Sequence, residues 1–238
     1  MGGEHDRLTA AEAASVLGWW IEAGVDVAIQ EQPRAWLGAV ATVPADVIPP
    51  AQSHAVPQEF PASLAAFRSW LGETPSLPLA QGNARRVLPR GIEAAEVMLL
   101  ADMPTPEDVA TGQAISGQAW ELTERMLAAI GFDSDQAYVA SLSCFHSPGT
   151  RLSGKDLEAC ADIARRHISL AKPKRLLLLG DTTCRALLGK PLTAARGHVH
   201  KIEGVRAVPT FHPRFLLDRP SNKALAWRDL LLLMEEEV

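Results

Sequence analysis

Apolar residues first recur at helical spacing over residues 9–30. Ala13, Val16, Leu17, Trp20 and Ile21 share a face there, and Thr9 with Glu12 three residues on supplies an N-terminal capping pair. Trp19, Trp20 and Trp36 need a surface to pack on, so this segment is expected to dock on a main domain. Residues 38–58 lose all period and carry Pro44, Pro49, Pro50 and Pro57, the composition of a linker or extended arm. A second helical pattern runs from Ala62 to Leu71, and the stretch from Gly72 to Gly91 is irregular.

Beyond residue 92 the pattern changes. Val97–Ala101, Tyr138–Leu142, Leu176–Leu179 and Val205–Thr210 are short apolar runs that read as buried strands. Helical stretches are expected at Gly117–Ile130, Gly154–Ala171, Thr182–Leu188 and Asn222–Met234. Strands alternating with helices predict an α/β fold of three layers, α/β/α, around a central, mainly parallel four-stranded sheet. The expected division is a helical extension and linker over 1–60 and the α/β domain over 61–238. In such sheets sites form beyond the carboxyl ends of the strands. The loops Asp102–Gly117, Ser143–Gly154 and Phe211–Arg219 occupy that position.

Composition changes this picture little, but charge distribution adds to it. The net formal charge is −5. Residues 1–150 hold 7 Lys or Arg against 18 Asp or Glu, whereas residues 151–238 hold 16 against 10. A basic C-terminal part can offer a local phosphate-binding face; an ordinary solvated surface is the alternative. No apolar run reaches membrane-spanning length and Met1 to Asp6 lack a secretion-signal layout, so a cytoplasmic protein without a membrane partner is expected. Cys144, Cys160 and Cys184 lie 16 and 24 residues apart, without a CxxC pair. They suggest neither a disulfide framework nor, by themselves, a complete four-ligand site.

Among the strand-end loops, Asp102 follows Val97–Ala101 and precedes Met103-Pro104-Thr105-Pro106. A carboxylate there can position water or act as a base, or can simply cap the segment that begins at Pro104. His212 lies in Pro209-Thr210-Phe211-His212-Pro213, where Pro213 disfavours helix and helps fix the imidazole in an extended loop. His198 and His200 alternate in Arg196-Gly197-His198-Val199-His200 and fall on one side if extended. They suit a partly exposed strand or a phosphate-contacting loop better than a metal site. The loop from Ser143 to Arg151, with His146, can hold phosphate oxygens or merely connect strand to helix.

The segment Val97 to Asp229 resembles the uracil-DNA glycosylase superfamily, especially its iron-sulfur-containing thermophile-type branches. The matching pieces, in order, are Ala101-Asp102-Met103-Pro104-Thr105, Gly112-Gln113-Ala114-Ile115-Ser116-Gly117, Ser141 through Arg151, Leu179-Gly180 and His212-Pro213-Arg214-Phe215-Leu216-Leu217. The resemblance implies a DNA partner, a flipped damaged or deaminated base, a monomer, and hydrolysis of the N-glycosidic bond. Asp102 stands where the family has a water-positioning Glu, and His212 keeps the family's place for stabilising the departing base. Met103, Pro104, Ile115 and Ser141 would line the base pocket, with Ile115 in place of a stacking Phe and Ser141 in place of a base-reading Asn. His146, Arg151, Arg196, His198 and Arg214 would meet DNA. Phe67, Trp70 and Phe145 replace three cluster ligands and Cys160 alone is kept, so an iron-free protein without a cofactor is expected. These departures leave uracil open as the base, and leave a catalytically inactive binder of DNA or protein as the alternative. The acidic N-terminal extension could serve as a surface for a protein partner or for autoinhibition.

Overall fold

The computed structural model describes Thr9 and residues 60–80, 84–147, 149, 152 and 154–235. The expected helix over 9–30 and the linker over 38–58 lie outside the described residues, apart from Thr9. The chain divides into two units, Met1–Val56 and Pro57–Val238, and the second holds the elements that follow.

In chain order these are α1 (Leu64–Glu73), β1 (Val97–Ala101), α2 (Pro106–Thr111), α3 (Gly117–Ala129), β2 (Ala137–Ser141), α4 (Gly154–Ala171), β3 (Arg175–Leu179), α5 (Asp181–Leu188), α6 (Leu192–Ala195), β4 (His200–Ile202), β5 (Val205–Thr210), α7 (Pro213–Asp218) and α8 (Lys223–Met234). The strands form one sheet in the order β2-β1-β3-β5-β4. Neighbours pair in parallel from β2 through β5, while β4 pairs antiparallel with β5. The four parallel strands expected from the apolar runs are all present. The expectation of four strands in total is corrected by β4, whose three residues carry only one buried side chain, Ile202, and so leave no apolar run.

Because successive strand residues point to opposite faces, each central strand serves two cores. Met98 and Leu100 join Tyr138, Ala140, Leu176 and Leu178 under α1, α4, α5 and α6. Val97, Leu99 and Ala101 join Val139, Leu177, Leu179 and Val208 under α3 and α8. All five residues of β1 are buried, which explains why the sequence shows a continuous apolar run rather than alternation. On α4 the buried residues Cys160, Ile163, Ala164, His167, Ile168 and Ala171 follow the helical period of its sheet-facing side.

The free edge of β2 is covered by residues before β1. Arg90 and Val139 exchange backbone hydrogen bonds of 2.9 and 2.8 Å, and the Val87 N–H donates to the Cys144 carbonyl at 2.9 Å. Gly91 follows with φ of +120°, and a Cβ there would meet the Ala137 carbonyl oxygen at 2.4 Å, so close backbone approach demands glycine.

The strand order reverses between β1 and β3. The chain leaves β1 for β2 on one side and returns to β3, β5 and β4 on the other. The carboxyl ends of β1, β3 and β5 therefore surround the switch point at which α/β sheets place their sites.

Candidate active site

Asp102 lies one residue past β1. Its carbonyl accepts from the Ser143 N–H at 3.2 Å, and the Ala101 carbonyl accepts from the Leu142 N–H at 2.9 Å, so the parallel ladder runs beyond both strands. Burial pushes the Asp102 carboxyl above its ordinary range, against the opposing pull of the Met103 N–H and the Arg214 charge. Pro104 is buried, and Met103 is half-buried against the first core.

The loop expected between Asp102 and Gly117 contains a helix. Thr105 caps α2, Pro106 takes its first turn, and Asp108 completes a capping box. Asp108 is 2% exposed. One of its oxygens accepts from the Ser116 N–H at 2.8 Å and the Ser116 hydroxyl at 2.6 Å. The other accepts from the Thr105 N–H at 2.8 Å and from Arg214 Nη2 at 3.3 Å. Burial raises the Asp108 carboxyl, but the Ser116 and Thr105 hydrogen bonds and the Arg214 charge outweigh it and hold it below the usual carboxylate range.

His212 caps α7 at the end of β5, with Pro213 in the first turn. The loop expected over Phe211–Arg219 is thus mostly helix, while His212 itself keeps extended backbone, φ −65° and ψ 139°. Its Nδ1 accepts from the Arg214 N–H at 3.2 Å. A neutral ring then carries its proton on Nε2. His212 keeps some surface, yet enclosure of the ring and then the nearby Arg214 charge push its pKa down to about 3. Near neutral pH it is an uncharged hydrogen-bond donor. Asp102 and His212 share Arg214 and Asp108 as electrostatic neighbours, which brings the two strand-end residues into one site.

A second ion pair supports the His212 loop from behind. Asp229, 2% exposed on α8, accepts from Arg196 at 2.8 Å and from the Thr210 hydroxyl at 2.7 Å. The Arg196 guanidinium lies 4.2 Å from the Phe211 ring centre, and Phe211 stacks on Phe215 at 5.1 Å and 16°. Phe215 is 37% exposed, and Arg219 lies 5.9 Å from its ring centre on the outer side of α7.

The structure brings together Asp102, Met103, Pro104, His146, His212 and Arg214. His146 donates from Nδ1 to the Pro104 carbonyl at 2.8 Å and so ties the second strand-end loop to the first. Ser141 ends β2 half-buried, paired with Ala101. Ile115 is 1% exposed and belongs to the second core. Its φ of +58° is unusual for a β-branched residue and marks local strain beside the site. Arg196 is committed to Asp229, His198 is exposed, and the His200 Nε2–H donates to the Ala195 carbonyl at 2.9 Å. Arg151 lies outside the described residues. Sequence reasoning missed Asp108, Ser116 and Asp229 as parts of the site. Thr105-Pro-Glu-Asp108 was a legible capping signature; nothing local marked Asp229.

The donor set does not fit an iron-sulfur cluster. Among the described residues no three His, Cys, Asp or Glu side chains could share a metal ion. Phe67 is fully buried, 5.5 Å from Trp70 and 5.0 Å from His167 between ring centres. Burial pushes the Cys144 and Cys160 thiols up to about 11 and about 12. The cavity they line with Leu71, Ser141 and His167 holds about 20 Å³, room for roughly one water.

The model of the uracil DNA glycosylase superfamily matches residues 89–231. The chain is similar to the type-4 uracil-DNA glycosylase of Thermotoga maritima, 25% identical over 151 residues that cover 61% of this chain and 79% of the relative. It is also similar to the type-4 uracil-DNA glycosylase of Archaeoglobus fulgidus, 23% identical over 141 residues, 55% of this chain and 71% of the relative. A DNA polymerase of Bacillus phage SP01 is 24% identical over 158 residues, which are 65% of this chain and span only 17% of the polymerase.

Proposed function

The chain belongs to the uracil DNA glycosylase superfamily, and on that premise we propose that it hydrolyses the N-glycosidic bond of a flipped, damaged or deaminated base in DNA. The observation that carries this reading is the pairing of a carboxylate raised by burial with a neutral imidazole that donates from Nε2, both beyond the ends of parallel strands. Asp102 orients a water and takes its proton as the water oxygen bonds to C1′. The C1′–N bond breaks, its electron pair leaves with the base, and the His212 Nε2–H meets the charge that develops there. The departing base is protonated on release, and Asp102 returns its proton to solvent.

Met103, Pro104 and Ser141 line the base side of this site in the proposal, while His146 stiffens the loop between them. Ser141 offers one hydrogen bond, against the paired donor and acceptor of an amide, which favours broader base choice than strict reading of one edge. DNA contact falls to His198 and to exposed Phe215 with Arg219 beside it, while Arg214 turns toward His212 and Asp108. Arg151 is assigned to the same surface from sequence alone. Arg196 acts in this reading by holding the His212 loop rather than by reaching DNA.

Complete burial of Ile115 in the core favours a second reading, a catalytically inactive protein that binds DNA or a protein partner with the same fold. Incubation with duplex and single-stranded oligonucleotides carrying uracil, hypoxanthine, xanthine or mismatched thymine separates the two. Base release from any of them supports hydrolysis. DNA binding without release from all of them supports the inactive binder.

A further inference from the structure

Arg214 stands two residues after His212 and touches it twice. Its N–H donates to Nδ1 at 3.2 Å, and its guanidinium Nη2 lies 3.5 Å from Nε2. The first bond puts the proton of the neutral ring on Nε2. Nε2–H and Nη2 are then both donors, and two donors side by side cannot satisfy each other. They can converge only on a third atom that accepts. Meanwhile Asp108 holds the same Nη2 at 3.3 Å, and Asp108 is itself fixed by Ser116 and Thr105. The guanidinium is therefore held at once against the Asp108 carboxylate and beside the imidazole.

We propose that Arg214 is a second electrophile, which with His212 grips the same oxygen of the departing base, and that Asp108 is the positioning residue that aims it. The inference rests on the hydrolytic reading above and adds the chemistry of its leaving group. A cation beside a neutral donor stabilises a localised anion more than either group alone, most of all where water is excluded. The arrangement suits bases that carry a carbonyl oxygen next to the scissile nitrogen, as 2-oxopyrimidines do. It also supplies affinity for the transition state that the weak edge-reading of Ser141 does not.

The test is a leaving-group series. Single-turnover rates of the full chain are measured on duplexes carrying 5-fluorouracil, uracil or mismatched thymine, for the wild type and for Arg214→Gln, Arg214→Lys and Asp108→Asn. Arg214→Gln is expected to lose about 10²-fold or more on uracil, the loss typical of removing one such donor. It should lose roughly tenfold less on 5-fluorouracil, whose anion needs less help, with Arg214→Lys between it and the wild type. Asp108→Asn should show the same dependence on leaving group in weaker form. An equal loss on all three substrates that disappears at low salt makes Arg214 a phosphate contact and overturns the inference. Unchanged leaving-group dependence in a folded Asp108→Asn overturns the positioning role; should that variant not fold, Arg214→Gln alone decides. A wild type inert on all three overturns this inference, and the hydrolytic reading falls with it only if hypoxanthine and xanthine are not released either.

Discussion

Asp108 and Arg214 stand 106 residues apart in the chain and meet at 3.3 Å, joining the loop after β1 to the loop after β5. The carboxylate is also the acceptor for both polar groups of Ser116 and for the Thr105 N–H. Its removal leaves several donors at a buried point without a partner. Asp108→Ala is expected to cost on the order of 3 kcal/mol. Urea unfolding should show a lower midpoint at an unchanged slope.

Protonation of Asp102 should set the acid limb of activity. As a base Asp102 must be ionised, so the single-turnover rate should climb with pH through its raised pKa. That limb lies above the 3.8 of an ordinary aspartate. His212, held neutral down to about 3, contributes no loss of activity in the same range. A profile measured on base release should show one ascending limb, and Arg214→Gln should move it upward, since the Arg214 charge lowers the Asp102 pKa.

How much of this was legible in the sequence depends on where the information is local. The apolar runs of β1, β2, β3 and β5 showed themselves because each is buried on both faces. β4 escaped because an edge strand of three residues with one buried side chain has neither a run nor an alternation long enough to read. Asp102 and His212 could be singled out from their positions after strands and beside prolines. Asp108, Arg196 and Asp229 could not be assigned their partners, because ion pairs over 106 and 33 residues depend on strand order rather than on neighbouring sequence. Arg196 looked like a DNA-facing cation, and only the fold reveals that Asp229 and Phe211 hold it.

Stability should depend on pH through His167. Its Nε2 lies 2.7 Å from the hydroxyl of Tyr138, itself fully buried, and burial pushes the His167 pKa down to about 3. The unfolded chain takes up this proton near pH 6.5, while the folded chain refuses it until about 3. The unfolded state binds more protons between those values, so stability falls as pH drops through that window, by about 1.4 kcal/mol per pH unit. Asp102 and Asp229, both raised by burial, act in the opposite sense, so the measurement is differential. The stability gap between wild type and His167→Gln should narrow from pH 7 to pH 4; a constant gap contradicts this.

Aromatic packing ties α1 to the sheet. Phe60, Phe67, Trp70, His167 and Tyr138 form a continuous set of ring contacts between α1, α4 and β2. Phe67→Ala is expected to cost about 3–5 kcal/mol, the usual range for a fully buried Phe. The unfolding midpoint of the wild type should not respond to a strong iron chelator. A chelator-dependent midpoint would point to a metal in the fold.

The most direct measurement is base release from the lesion oligonucleotides by the wild type, Asp102→Asn and His212→Ala, each with its DNA affinity measured alongside. The account predicts release by the wild type on at least one substrate, losses of about 10²-fold or more in each variant, and DNA affinity within a fewfold of the wild type. Release that persists at the wild-type rate in both variants would contradict it.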